Sequence, residues 1–282
     1  MKQMKGCVEM KRIIQLVMIS LLTIMTIVPL SLSAQAEDKE PIIIGMEAGY
    51  PPYNWTQFDD SNGAIQIEGS HDYANGYDLQ IMKRVGELTG REVKVVKLEW
   101  EGLIPALQSG KIDAIAAGMS PTKERSQVID FTEPYHKTEF AMMTTKDSPY
   151  ANAKGINDFE GARVTGQLST LHYDLLGQLE GADVLQATKT FPLMRVALES
   201  GKIDAYVTEV PEAKSAAQAN DKFTYIILDP SFEVDPAEDL VAIGLKKGSP
   251  LLEEFNEALK QISQEERDKI MEEVIKFQPA SE

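Results

Sequence analysis

The 282-residue chain has one cysteine, three histidines and two tryptophans. Cys7 precedes an apolar N-terminal run, so the chain beyond that run has no thiol. Disulfides, thiolate metal sites and a cysteine nucleophile are excluded there. His71, His136 and His172 are scattered, and none has metal-ligand spacing with another His or Cys. There is no G-x-S-x-G, no phosphate loop and no dinucleotide glycine motif. No metal, cofactor or catalytic residue is expected. Positive charge is also scarce: 28 Lys and Arg face 44 Asp and Glu, a net charge of -16. Such a surface repels nucleic-acid phosphates and anionic lipid heads, so neither is an expected partner.

Long apolar runs are missing after residue 32. The one present, Ile13 to Leu32, carries no charge and follows a basic segment with Lys2, Lys5, Lys11 and Arg12. Ser33-Ala34-Gln35-Ala36 then offers small residues at both A-x-A positions. This is the pattern of an export signal, residues 1–36, cleaved after Ala36. An uncleaved anchor is the other reading, since the run is long enough to span a bilayer. The first 36 residues hold four basic groups and one acid, so the remainder has 24 basic against 43 acidic residues, a net -19.

What is there is an ordinary globular composition, 43% hydrophobic and 26% charged, long enough for two modest domains. Pro41–Met46 reads as a buried strand, and Glu47–Tyr53 as a loop. Gln57–Gly76 is polar and reads as a surface excursion or hairpin with little core content. Tyr77–Gly90 reads as a helix, with Leu79, Met82, Val85 and Leu88 on one face and Gly90 as its cap. Val93–Leu98 and Ile112–Ala117 read as strands around a helix at Leu103–Ser109. Strand, helix, strand in this order implies parallel pairing in an α/β sheet. Further strands are expected at Phe140–Thr145, Arg163–Leu168, Ile203–Val207, Thr224–Leu228 and Leu240–Leu245. Helices are expected at Thr170–Leu179 and Met194–Ser200. The last stretch reads as helical, with Ser263 and Glu266 in a capping-box pattern.

One module occurs twice. Leu107-Gln108-Ser109-Gly110-Lys111-Ile112-Asp113-Ala114 recurs as Leu198-Glu199-Ser200-Gly201-Lys202-Ile203-Asp204-Ala205, and Trp100 aligns with Phe191. Two copies are too few for a solenoid and fit two similar α/β lobes. The same offset sets Gly118 opposite Glu209, each at the C-terminal end of a strand. Ligands of open α/β sheets sit beyond those ends, so both are expected to face one cleft.

Three groups of residues suit a zwitterion. Ser120 and Thr122 are good helix N-caps, and Arg125 could add a bidentate clamp for a carboxylate. By spacing alone the stronger reading is that Arg125 pairs with Glu124 or Asp130 on a helix surface. Glu209 could hold an ammonium, or stand as an exposed loop acid. Tyr50, Tyr53 and Trp100 could pack on a ligand or belong to the core. Glu47 could meet a polar or cationic tip, or be a surface acid.

The chain resembles the extracytoplasmic amino-acid-binding proteins of ABC importers, the polar amino acid uptake family (bacterial solute-binding protein family 3). The stretches that carry the likeness are Tyr50-Pro51-Pro52-Tyr53, Asn75-Gly76-Tyr77-Asp78-Leu79, Trp100-Glu101-Gly102-Leu103-Ile104-Pro105-Ala106-Leu107, Gly118-Met119-Ser120-Pro121-Thr122-Lys123-Glu124-Arg125 and Asp130-Phe131-Thr132-Glu133-Pro134-Tyr135. The resemblance implies an α/β, two-lobed periplasmic-binding-protein-like fold (type II), each lobe a sheet flanked by helices, joined by a two-strand hinge. Lobe 1 would be residues 37–138 plus 240–282, and lobe 2 residues 139–239. It implies a monomer outside the cytoplasm, in the periplasm or at the cell surface, that hands a free L-amino acid to an ABC permease and ATPase. Carried over by position, the ligand residues would be Glu47, Tyr50, Trp100, Gly118, Met119, Ser120, Arg125, Gln167, Ser169, Thr170 and Glu209. Arg125, with the backbone at Ser120 and Ser169-Thr170, would take the α-carboxylate, and Gly118 and Glu209 the α-amino group. Tyr50 and Trp100 would sandwich the side chain, with Glu47 near its tip, which favours a polar or cationic ligand such as Gln, Lys, Arg or His. Three departures stand out: Glu where the family commonly has Asp, no glycine before Thr170, and a longer 57–75 segment expected over one mouth of the cleft. An exported cyclic-acid dehydratase on the same fold and a ligand-sensing module are the alternatives.

Overall fold

A computed structural model describes residues 39–278; the export signal lies outside them. The chain forms two five-stranded sheets, each with helices on its faces. The first runs β6 (Val93–Lys97), β1 (Ile42–Met46), β7 (Ala114–Ile115), β16 (Gly244–Lys246), β8 (Ile129–Phe131). The second runs β12 (Asp183–Val184), β11 (Arg163–Thr165), β13 (Ala205–Glu209), β10 (Phe140–Thr145), β14 (Phe223–Ile227). An antiparallel pair, β9 (His136–Lys137) with β15 (Leu240–Val241), forms the two-strand hinge between the lobes.

The parallel strands follow from their crossover helices. β1 pairs in parallel with β6 and β7, and α1 (Tyr77–Thr89) and α2 (Leu103–Ser109) supply the returns. Leu79, Met82 and Val85 of α1 are fully buried. A buried side chain of that kind is worth about 1.5–3 kcal/mol, so this face holds the helix to its sheet. Gly110 ends α2 at φ 77°, ψ 18°, a left-handed cap that favours glycine. In the second lobe α5 (Phe191–Glu199) plays the part of α2 and leads into β13.

Several expected elements differ in extent. The strand expected over Ile112–Ala117 is only Ala114–Ile115; its neighbours Ile112, Ala116 and Ala117 are buried, and the Asp113 and Ala116 amides still donate to Ile43 and Gly45 of β1 at its two ends. The helix expected over Thr170–Leu179 is one turn, α4 (Leu171–Asp174), followed by a 3-10 turn at Leu175–Gln178. A helix that the sequence reading omitted, α6 (Val210–Ala219), follows β13 directly. The polar excursion has more core than expected. Its strands join a four-stranded sheet, β2 (Gly49–Tyr50), β3 (Asn54–Gln57), β5 (Tyr73–Asn75), β4 (Ile65–Gln66), that buries Trp55 and Ala74. Ile67 bridges to Val95 at the edge of the first sheet. That edge offered unpaired backbone groups, which explains where the segment docks.

Candidate functional site

A small cavity lies where the C-terminal ends of β1, β7, β11 and β13 meet. Nine of the eleven expected ligand residues line it: Glu47, Tyr50, Trp100, Gly118, Ser120, Arg125, Gln167, Thr170 and Glu209. Met119 and Ser169 do not. The Met119 side chain is buried in the core and its carbonyl accepts from the Ala242 amide. Ser169, at φ 59°, offers its carbonyl to Trp100 Nε1 (3.1 Å) and Arg125 Nη2 (3.5 Å). None of residues 57–75 lines the cavity. The sequence reading missed four lining residues, Ala117, Phe140, Leu171 and His172.

Gly118 shapes one wall. It has φ +63°, and a Cβ there would stand 3.2 Å from Cε1 of Tyr50. Its amide donates to the buried carboxylate of Asp78, which also accepts from Asn54 Nδ2 (2.8 Å) and Tyr135 Oη (2.5 Å). Burial dominates and raises Asp78 to about 7. This network fixes the Gly118 backbone from behind.

The positively charged end of the cavity is built by Thr122 and α3 (Lys123–Val128). The Thr122 hydroxyl caps the helix by accepting from the Arg125 amide. Arg125 Nη1 donates to the Ser120 carbonyl at 3.0 Å, and the guanidinium lies 5.1 Å over the Trp100 ring. Desolvation pulls its pKa down to about 10, still well above neutrality. Arg125 is thus a cleft residue rather than the partner of Glu124 or Asp130; Asp130 pairs with Lys247.

At the opposite end Glu209 closes β13 and is 3% exposed, not a loop acid. Its Oε2 stands 2.9 Å from Nε2 of His172, and no other side-chain or backbone group satisfies either atom. Burial, with help from the Glu212 carboxylate, raises Glu209 to about 8. Glu212 itself is fully engaged by Arg195 (2.6 and 3.0 Å), Tyr206 Oη (3.2 Å) and Thr208 Oγ1 (2.8 Å). At the third corner Glu47 accepts from Gln167 Nε2 at 2.9 and 3.2 Å, across the cleft. Burial raises Glu47 to about 7.

Tyr50 and Trp100 both line the cavity, and each also packs against other protein groups. Tyr50 stacks with Tyr53 (5.0 Å) and with Phe191 (4.1 Å), and Trp100 sits under Arg125. Each ring has found a protein partner close enough to remove its face from water. Chemically, the cavity presents one guanidinium, two carboxyl groups and the His172 imidazole between aromatic walls.

Known proteins share this arrangement of lobes. The probable histidine-binding protein of Campylobacter jejuni is 31% identical over 80% of this chain and 81% of its own length. A solved structure of an ancestral arginine-binding protein bound to arginine is 27% identical, with a TM-score of 0.68, over 84% of this chain and 98% of that one. An amino acid ABC transporter substrate-binding protein from Streptococcus pneumoniae superposes with a TM-score of 0.74 at 22% identity, covering 84% and 94% of the two chains, a likeness of fold. The family model of the bacterial extracellular solute-binding proteins, family 3, matches residues 42–276, and the chain belongs to that family.

Proposed function

We propose that the cleft captures a free L-α-amino acid, preferably one with a cationic side chain, and that the loaded protein delivers it to an ABC permease and ATPase. The observation that carries this reading is the convergence of Arg125, Glu209 and Glu47 on one cavity. Arg125 would clamp the carboxylate, Glu209 with the Gly118 backbone would take the ammonium, and Glu47 would meet the side-chain tip. A buried Glu47 left opposite an apolar side chain would be a desolvated acid without a partner, which disfavours such ligands. Ser120 and Thr170 would contribute near the carboxylate, and Gln167 beside the tip.

Capture would occur by closure of lobe 1 (37–138 and 240–282) on lobe 2 (139–239) about the β9–β15 hinge. A ligand favours closure only through contacts that exist in the closed state. We take the protein to act as a monomer outside the cytoplasm, after cleavage near Ala36, without catalysis. The raised Glu209 is also what a general acid needs, so an exported dehydratase is the second reading. Glu47 at the far end disfavours its dicarboxylate substrate, and turnover of prephenate or arogenate by purified protein would decide for it.

Calorimetric titration with L-arginine, L-lysine, L-histidine, L-glutamine and L-glutamate tests the proposal. Saturable binding in the order cationic, then glutamine, then glutamate is expected. No heat with any of them at about millimolar concentration, the weak end of specific affinity, would sink it.

A further inference from the structure

His172 stands against Glu209 but has no part in the ligand reading above. Its Nδ1 lies 3.3 Å from Thr170 Oγ1. That hydroxyl gives its hydrogen to the Gln167 carbonyl at 2.7 Å. The hydroxyl is therefore left to accept, and Nδ1 carries the imidazole hydrogen. Neutral His172 then presents a bare lone pair at Nε2. It faces Oε2 of Glu209 at 2.9 Å, and a carboxylate oxygen offers only lone pairs. Two such atoms cannot share a buried contact without a proton between them.

The surroundings decide how much charge the pair can hold. Arg125 on α3 and Glu47 after β1 line the same cavity, and Glu212 on α6 lies behind Glu209, already paired with Arg195. The other faces are the rings of Tyr50, Phe140 and Phe191. Among the described residues no Lys or Arg forms an ion pair with Glu209.

We propose that His172 and Glu209 together form the amino-group subsite and hold one shared proton, which the ligand's ammonium replaces, so that each captured amino acid expels a proton. The inference rests on the amino-acid reading above. Before capture the pair carries two exchangeable hydrogens, one on Nδ1 and one between the residues, and is neutral overall. The ammonium sets its own N–H hydrogens against Oε2 and Nε2. The shared proton leaves for water, Glu209 becomes a carboxylate, and His172 stays neutral with hydrogen on Nδ1. Keeping the proton would leave an imidazolium and an ammonium beside Arg125 with one carboxylate between them. The raised pKa of Glu209, about 8, and the lowered one of His172, about 3, agree with this and put the resting proton on Glu209.

Calorimetry with L-arginine at about pH 6.5, in buffers of low and high ionisation enthalpy, counts the protons released. Glu47 can release one of its own on meeting the guanidinium, so the Glu47→Gln variant isolates the pair. About one proton per bound arginine is expected in Glu47→Gln, and close to none once Glu209→Gln is added. In the wild type the total should lie between one and two. Binding to Glu47→Gln with no net release, or a wild-type total well below one, overturns the proposal and leaves the amino-acid reading standing. Absence of heat with L-arginine, L-lysine, L-histidine and L-glutamine overturns both. His172→Phe should weaken arginine binding about tenfold by removing an acceptor from a charged donor. His172→Gln should restore most of it, because its carbonyl accepts. Wild-type affinity in His172→Phe excludes His172 from the subsite.

Discussion

The two lobes carry opposite side chains at matching strand ends. The repeated module equates Ala114 with Ala205, and the ladders carry the match to a second strand: Ile44 pairs with Ala114 as Val164 pairs with Ala205. Asp113 Oδ2 accepts the Ile43 amide at 2.9 Å, and Asp204 Oδ2 accepts the Arg163 amide at 2.9 Å. Counting on from there, Glu47 matches Gln167, Gly118 matches Glu209, Trp100 matches Phe191 and Arg125 matches Ala216. Glu47 and Gln167 bond to each other across the cleft. Trp100 reaches Ser169, and Phe191 reaches Tyr50. The scaffold fixes where a side chain enters the cavity. The choice of residue at each matched position decides the sign of charge there, and an unequal pair of lobes produces a polarised cavity.

The largest test of that asymmetry is the Arg195–Glu212 pair, whose counterparts in lobe 1 are Ile104 and Pro121. Arg195→Leu strands a buried carboxylate and should cost about 3–5 kcal/mol in urea unfolding. Adding Glu212→Gln should recover most of it; a loss under about 1 kcal/mol would mean the pair is not desolvated. Next is Arg125, matched by an alanine. Arg125→Ala should weaken arginine binding roughly a hundredfold, about 3 kcal/mol, as for other buried charge partners. Retained affinity would place the carboxylate elsewhere.

Acidity separates the lobes further. Asp78 in lobe 1 is raised to about 7 and Glu209 in lobe 2 to about 8. A carboxyl raised on folding contributes stability that is full below its unfolded pKa and lost as pH rises through the folded value. His136 and His172 are lowered to about 4 and about 3, so they act only below their usual range, near 6.5. With Glu47 of lobe 1, also raised to about 7, stability should therefore fall by about 3 kcal/mol between about pH 6.5 and 8.5. Asp78→Asn and Glu47→Gln should each remove about half of the lower part of that fall, and Glu209→Gln the upper part. A flat or rising denaturation midpoint would contradict both assignments. The smallest effect is at the matched aspartates: Asp113→Ala should cost about 1 kcal/mol, and Asp204→Ala somewhat more, because its carboxylate also accepts from the Arg163 guanidinium at 2.9 and 2.6 Å. Equal thermal midpoints would show that the Arg163 pair adds nothing to the amide bond the two aspartates share.

Local periodicity made much of this readable. α2 and β10 have the bounds read from the sequence, and Ser263 caps α8 (Gln264–Phe277), which follows α7 (Leu251–Gln261). Where the reading failed, a partner from far along the chain had set the outcome. α6 buries Glu212 and Ser215 beside Ala213 and Ala216, so its inward face looks polar in sequence, although Pro211 in its first turn and its alanines were available as signals. His172 had no spacing to declare it, since its partner comes from β13. The run at 112–117 reported burial correctly but could not report pairing. Tyr50 was rightly put at the cavity, yet which ring would stack on it depended on lobe 2.

The position of β16 bears on how the chain is assembled. It lies between β7 and β8, and α7 and α8 pack on α1. The first sheet thus has a slot that only residues after the second hinge crossing can fill, whereas every strand of the second sheet comes from one unbroken stretch, 140–227. During synthesis the lobe begun first should be finished last, its core left exposed until the final helices emerge. Pulsed hydrogen exchange on refolding protein should protect β10–β14 before β1–β7; the reverse order would refute this.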